Sequence, residues 1–129
     1  MLDGGVYVGA DGSNSMWGNF TMTGGTIEGN TADQGGGVYS QGTFTMSGGT
    51  IEKNKASYAG GGVLVGGGTF DMKGGKITMN NSERGKGVMA RGGTFNWSGG
   101  EITANEGNGN AVVHTEGGHF NNTSGNTES

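Results

Sequence analysis

The stretch Phe44-Thr45-Met46-Ser47-Gly48-Gly49-Thr50-Ile51-Glu52-Lys53-Asn54 decides how the chain is read, because it is one of several near copies. Phe20-Thr21-Met22-Thr23-Gly24-Gly25-Thr26-Ile27-Glu28-Gly29-Asn30 precedes it, and related phrases run from Phe70 to Asn80 and from Phe95 to Asn105. The pattern decays after Phe120, and successive phenylalanines stand 24, 26, 25 and 25 residues apart. A second phrase precedes each of these: Gly5-Val6-Tyr7-Val8, Gly37-Val38-Tyr39-Ser40, Gly62-Val63-Leu64-Val65, Gly87-Val88-Met89-Ala90 and Val112-Val113-His114-Thr115. Five units of about 25 residues thus account for nearly the whole chain.

Each unit holds three short alternations of apolar and polar residues: Val-x-Val, Phe-x-Met and Thr-Ile-Glu. A period of two sends successive side chains to opposite faces of a strand. The expected inward columns are Val6/Val38/Val63/Val88/Val113, Phe20/Phe44/Phe70/Phe95/Phe120, Met22/Met46/Met72/Trp97 and Ile27/Ile51/Ile77/Ile102. Three strands per coil, stacked about 4.8 Å apart, predict an all-β parallel β-helix, a single domain over 1–129 with about five coils. The crossover preference of parallel strands makes it right-handed. A propeller fits poorly, since a blade needs four antiparallel strands in roughly 40 residues. Asn30, Asn54, Asn80 and Asn105 fall at one turn position, where side-chain amides can hydrogen-bond along the stack.

Composition narrows the alternatives. Of 129 residues 33 are glycine, none is proline or cysteine, 29% are hydrophobic, and the net charge is −4. So much glycine would ordinarily signal disorder, but the repeat overrides that reading. Collagen is excluded by the missing proline and the missing three-residue period. Disulfide frameworks and cysteine-ligated metals are excluded outright. No apolar run approaches the roughly 20 residues of a membrane helix, so no membrane insertion by this segment is expected. The start of the chain reads as lacking a signal peptide. Its abrupt ends read as those of a segment of a longer array, with residues 9–19 as a long loop of the first coil and 121–129 as a polar C-terminal tail.

The GG-V-x-V, G-T-F-x-M-x-G-G-x-I and turn-asparagine pattern resembles the glycine-rich right-handed β-helix repeats of bacterial surface and adhesin-like proteins, including autotransporter passengers. It is more loosely similar to polymorphic outer-membrane-protein repeats, which pair a GG-apolar phrase with an F-x-x-N phrase. Phe20 and Phe44 are followed by Thr-Met-Thr and Thr-Met-Ser, so that asparagine is missing here. The resemblance implies an extracellular or cell-surface location and a structural or adhesive role. It carries over no catalytic residues.

Candidate chemistry is sparse. Glu28 and Glu52 occupy equivalent positions on adjacent coils, a separation comparable to the roughly 5–5.5 Å of a retaining glycosidase pair. Two solvated glutamates copied by repetition explain them more simply. Asp3, Asp11 and Asp33 fall on loops and Asp71 alone on a strand, which does not assemble a calcium-assisted lyase. Asp11-Gly12-Ser13-Asn14-Ser15 begins like a calcium loop but has Met16 where the sharp-turn glycine belongs. His114 and His119 lack a third ligand at a suitable spacing. No metal site, no cofactor and no enzymatic activity are expected. A phosphate-binding glycine loop would need a helix to follow it. An ice-binding Thr-x-Thr face begins at Thr21/Thr23 and Thr45/Ser47, then meets Asp71 and Lys73.

Charge is blocked along the chain: −5 over residues 1–52, +5 over 53–91, and −4 over 92–129. The middle block holds every base: Lys53, Lys55, Lys73, Lys76, Arg84, Lys86 and Arg91. Such a basic waist could meet an acidic glycan, although drift on a solvated surface would also produce it. It falls short of a nucleic-acid footprint. Outward from the Val-x-Val strands runs the column Tyr7/Tyr39/Leu64/Met89/His114, expected to be an exposed apolar stripe available for self-association or for contact with a cell-surface protein or a glycan. Two functional readings follow: a non-enzymatic stalk or adhesin piece, or a glycan-binding or glycan-degrading β-helix. A synthetic repeat scaffold would show equal steps, which this chain does not.

Overall fold

The computed structural model describes residues 5–9, 18–106 and 112–129. The expected calcium-like loop, Met16, Trp17 and Asp3 lie outside the described residues. The strands, in chain order, are β1 (Val6–Val8), β2 (Asn19–Met22), β3 (Thr26–Glu28), β4 (Thr31–Gln34), β5 (Val38–Ser40), β6 (Thr43–Met46), β7 (Thr50–Glu52), β8 (Lys55–Ala59), β9 (Val63–Val65), β10 (Thr69–Met72), β11 (Lys76–Thr78), β12 (Val88–Ala90), β13 (Thr94–Trp97), β14 (Glu101–Thr103), β15 (Val113–Thr115) and β16 (His119–Asn122). Every named pair is parallel and joins equivalent phrases of consecutive units: Val38 opposite Val63, Phe44 opposite Phe70, Ile51 opposite Ile77.

The result is an all-β solenoid. A first sheet of order β1-β5-β9-β12-β15, a second of β16-β13-β10-β6-β2 and a third of β14-β11-β7-β3 enclose the core. The chain makes about four turns, not the five coils expected. Five strands in the first sheet bound four complete turns, and the fifth unit adds β15 and β16 with no strand in the third sheet.

The inward columns are where alternation places them. Val38, Phe44, Met46, Ile51, Val63, Phe70, Met72, Ile77, Val88, Phe95, Trp97 and Ile102 are fully buried in one continuous core. Phenylalanine rings stack along the axis with centroids 5.1, 4.5, 4.7 and 5.2 Å apart from Phe20 to Phe120. Each fully buried ring contributes about 1.5–3 kcal/mol of transfer free energy. At the two ends of the stack Val6, Phe20, Ile27 and Phe120 are only partly buried.

Two further expectations are corrected. The stretch after each turn asparagine is more than a connection, so three strands per coil is an undercount. β4 pairs β8, and single bridges join Lys55 to Asn81, Ala59 to Arg84 and Asn81 to Glu106, forming a fourth sheet outside the core. Perfect register in the three core sheets sets equivalent connections face to face at strand spacing, where their backbone groups satisfy one another.

The second correction concerns the column Tyr7/Tyr39/Leu64/Met89/His114. It is not an exposed stripe. Leu64 and Met89 are fully buried and form, with Ala59 and the partly buried Tyr39, a second apolar cluster. The fourth-sheet arm folds back over the outer face of the first sheet. Gly60 makes that return with φ +68°, and a Cβ there would lie 2.8 Å from Leu64 Cβ. Tyr7, by contrast, is 55% exposed.

The expected tail at 121–129 begins inside β16, which takes Asn121 and Asn122, and the residues beyond run along the open edge of the third sheet. Ser129 N–H donates to Ile102 O at 3.0 Å, Asn105 N–H to Ser129 O at 3.1 Å, and Asn126 Nδ2 to Gly100 O at 2.9 Å. These bonds satisfy an edge that would otherwise present unpaired groups. The base of the first-coil loop is closed by Gly18 N–H donating to Gly9 O at 2.7 Å.

Candidate functional site

The turn asparagines form the ladder their spacing predicts. Asn30 Nδ2 donates to Asn54 Oδ1 at 3.1 Å, Asn54 Nδ2 to Asn80 Oδ1 at 3.0 Å, and Asn80 Nδ2 to Asn105 Oδ1 at 3.0 Å. The same amides of Asn54, Asn80 and Asn105 reach the carbonyls of Ile27, Ile51 and Ile77. Asn54, Asn80 and Asn105 are buried, so the ladder is structural. It fixes the corner from which each arm departs.

The arm is where the repeat is broken. Val38 stands eight positions after Asn30, Val88 eight after Asn80 and Val113 eight after Asn105, whereas Val63 stands nine after Asn54. The pairing of β4 with β8 shifts register between Ala32/Ala56 and Gln34/Ala59, so β8 carries an extra residue. Ser57 hydroxyl still donates to Asp33 Oδ1 at 3.0 Å, which leaves Tyr58 as the residue displaced at the bulge.

Two arginines of the basic waist gather on that tyrosine. The guanidinium carbons of Arg84 and Arg91 lie 5.1 and 5.2 Å from the Tyr58 ring centroid. Arg84 Nη1 donates to Tyr58 Oη at 3.2 Å and to Glu116 Oε2 at 3.4 Å. Arg91 Nη1 donates to Gln34 Oε1, while its enclosed Nη2 has no partner among the described residues. The Arg84–Glu116 pair is 41% and 45% exposed, and such pairs contribute about 0–1 kcal/mol. His114 Nε2 lies 3.8 Å from the same Glu116 oxygen.

The other five bases are distributed elsewhere. Lys53 and Lys55 flank the turn at Asn54, Lys73 follows β10, Lys76 opens β11 and sits 3.8 Å from Glu101, and Lys86 follows the arm's return. The waist is therefore not one patch: only Arg84 and Arg91 converge on a common group. Tyr7 and Tyr39 meet with ring centroids 5.6 Å apart, and Gln41 links them, accepting from Tyr7 Oη at 3.1 Å and donating to Tyr39 Oη at 3.3 Å.

Glu28 and Glu52 are register neighbours on the third sheet, as their repeat positions require. His119 opens β16 opposite Thr94, away from the His114–Glu116 contact. On the second sheet Asn121 Nδ2 donates to Asn96 Oδ1, and Asn96 Nδ2 to Asp71 Oδ1, both at 2.9 Å.

Sequence reasoning singled out Arg84 and Arg91 only as members of a charge block, and it missed Tyr58, Gln34 and Glu116. One signal could have found Tyr58: the nine-residue step from Asn54 to Val63, where every other unit has eight. Comparison with protein-family models, curated proteins and solved structures returned no match.

Proposed function

We propose that this chain is a rigid, non-enzymatic segment of a bacterial cell-surface or secreted protein, presenting a β-helical surface for contact with protein or glycan. The observation that carries the reading is the unbroken axial register, in which the phenylalanine stack and the asparagine ladder run through consecutive coils without a slip. Solenoids held in this way are stiff along the axis and present extended contact surfaces. The glycine-rich repeat resemblance supports the surface location and the adhesive role.

The contact face of this proposal is no longer the Val-x-Val stripe, which the arm covers. It shifts to the arm itself and to the outer faces of the second and third sheets. The test is to screen the purified chain against a polysaccharide array and host surface proteins, with product analysis, and to probe intact producing cells with an antibody to it. Retention without product, together with labelling of intact cells, is expected. Release of oligosaccharide products would replace this reading with a glycan-degrading one, and failure of both binding and labelling would overturn it.

A further inference from the structure

We propose that Tyr58, Arg84 and Arg91 form a binding site for acidic oligosaccharides, taking the carboxylate of a uronic acid residue. This rests on the contact role above and assigns it a place and a ligand class.

The bulge is the first ground. Three of the four connections from asparagine to valine have one length, and the inserted ninth residue of the other is an aromatic that is 39% exposed. Bulges re-aim side chains, and this one sets a tyrosine beside two cations. Two guanidinium groups within 5.1 and 5.2 Å of one ring repel each other. The ring's negative face offsets part of that repulsion, and an anion seated on the pair removes the rest.

The second ground is Glu116. Its Oε2 already lies 3.4 Å from Arg84 Nη1, so a carboxylate from the protein occupies part of the geometry that a ligand carboxylate would take. That pair is solvated and easily exchanged. An incoming carboxylate also supplies an acceptor for Arg91 Nη2 once the partly exposed Arg91 side chain turns toward it. Guanidinium forks match carboxylates two bonds at a time, which favours a uronate over a spherical anion.

Tyrosine and amide side chains supply what a sugar ring needs. The accessible part of the Tyr58 ring packs against an apolar sugar face, and the Gln34 amide, released as Arg91 turns, offers its Nε2 and Oε1 to sugar hydroxyls. The net charges of −5 before and −4 after the middle coils disfavour an anionic polymer running far along the axis from this pair.

The test is a direct titration of the full chain with a fluorescently labelled oligogalacturonate, with neutral galactan and dextran sulfate as comparison probes at two salt concentrations. Arg84→Gln and Arg91→Gln are each expected to weaken oligogalacturonate binding by about tenfold or more. Glu116→Gln, which removes the competing carboxylate, should tighten it by up to about fivefold. The pair Lys73→Gln and Lys76→Gln removes twice the charge of either arginine variant from another part of the coil and should still change it less than about twofold. Deleting Tyr58 restores the eight-residue arm of the other units, so thermal unfolding should stay cooperative while binding is lost.

Equal losses from the lysine pair, unchanged binding after the Tyr58 deletion, or no tightening in Glu116→Gln would overturn the site. Dextran sulfate binding as tightly as the uronate would overturn the carboxylate assignment. Neutral galactan or a surface protein bound in place of the uronate would overturn the site and leave the contact role standing. An array with no ligand at all would remove both.

Discussion

Asn54 donates both its side-chain Nδ2 and its backbone N–H to a single oxygen, Oδ1 of Asn80, at 3.0 and 3.1 Å. Asn80 repeats the arrangement on Asn105. Each amide therefore has two functions, tying its coil to the following one through the next asparagine and to the preceding one through an isoleucine carbonyl. A side chain one atom shorter or lacking either the donor or the acceptor breaks both functions.

Asn80→Ala would leave Asn54 N–H without its acceptor in a buried corner and take one bond each from Ile51 O, from Asn54 Nδ2, which keeps Ile27 O, and from Asn105 Oδ1, which keeps the backbone N–H of residue 80. An unmet buried group costs about 1–3 kcal/mol, so a loss of about that size is expected in urea unfolding. Asn30→Ala, at the partly exposed end of the ladder, should cost less. Equal and small losses at both positions would mean that the ladder does not hold the stack.

The residue before each ladder asparagine is left-handed: Gly29 at φ 69°, Lys53 at 57°, Met79 at 54° and Ala104 at 54°. Only glycine adopts that conformation without cost, and other residues lose about 1–2 kcal/mol there. Met79 is 45% exposed, so it has little packing to lose. Met79→Gly is expected to raise stability by about 0.5–1 kcal/mol after the extra unfolded-state entropy of glycine is deducted. Gly29→Ala should lower stability by a similar amount, since an added Cβ meets nothing within 4 Å and acts through φ alone.

Gly62 leads into the first sheet beside the ladder. A Cβ there would lie 2.6 Å from Gly87 O, 3.0 Å from Asn80 Nδ2 and 3.0 Å from Ile77 Cγ2. The first contact is with backbone and cannot be relieved by a rotamer. Gly62→Ala should cost about 1–3 kcal/mol, read as a lowered melting temperature. An unchanged melting temperature would show that the coils separate more readily than their register implies.

Leu64→Glu separates the covered stripe from the open one that alternation alone suggests. A carboxylate at a fully buried position under the arm is expected to cost several kcal/mol and to abolish cooperative unfolding at ambient temperature. Tyr7→Glu, on the same column but 55% exposed, should change stability by less than about 1 kcal/mol. Circular dichroism melts of the two variants side by side test this, and a folded Leu64→Glu protein would contradict the arm's position.

The core was legible in the sequence because each part of it is local. Alternation at Val63–Val65 and Thr69–Met72 sets which side chains face inward, and near-identical spacing makes equal residues stack, as Phe44 on Phe70 and Asn54 on Asn80. No contact needs to be known beyond the repeat itself.

The outer layer obeys a different rule. Alternation sends Leu64 and Met89 away from the core, and that much is correct, but whether solvent or protein waits there depends on how sharply the chain returns at Gly60. The meeting of Tyr58 with Arg84 and Arg91 likewise depends on a bulge in one arm and on side chains from two neighbouring coils. Sequence periodicity by itself determined the solenoid, its inward columns and its amide ladder, since these follow from two-residue alternation and axial register. Only the tertiary structure decided which outward residues are covered and which cations converge, because both are set by the path of the arm through space, and a period carries no information about that path.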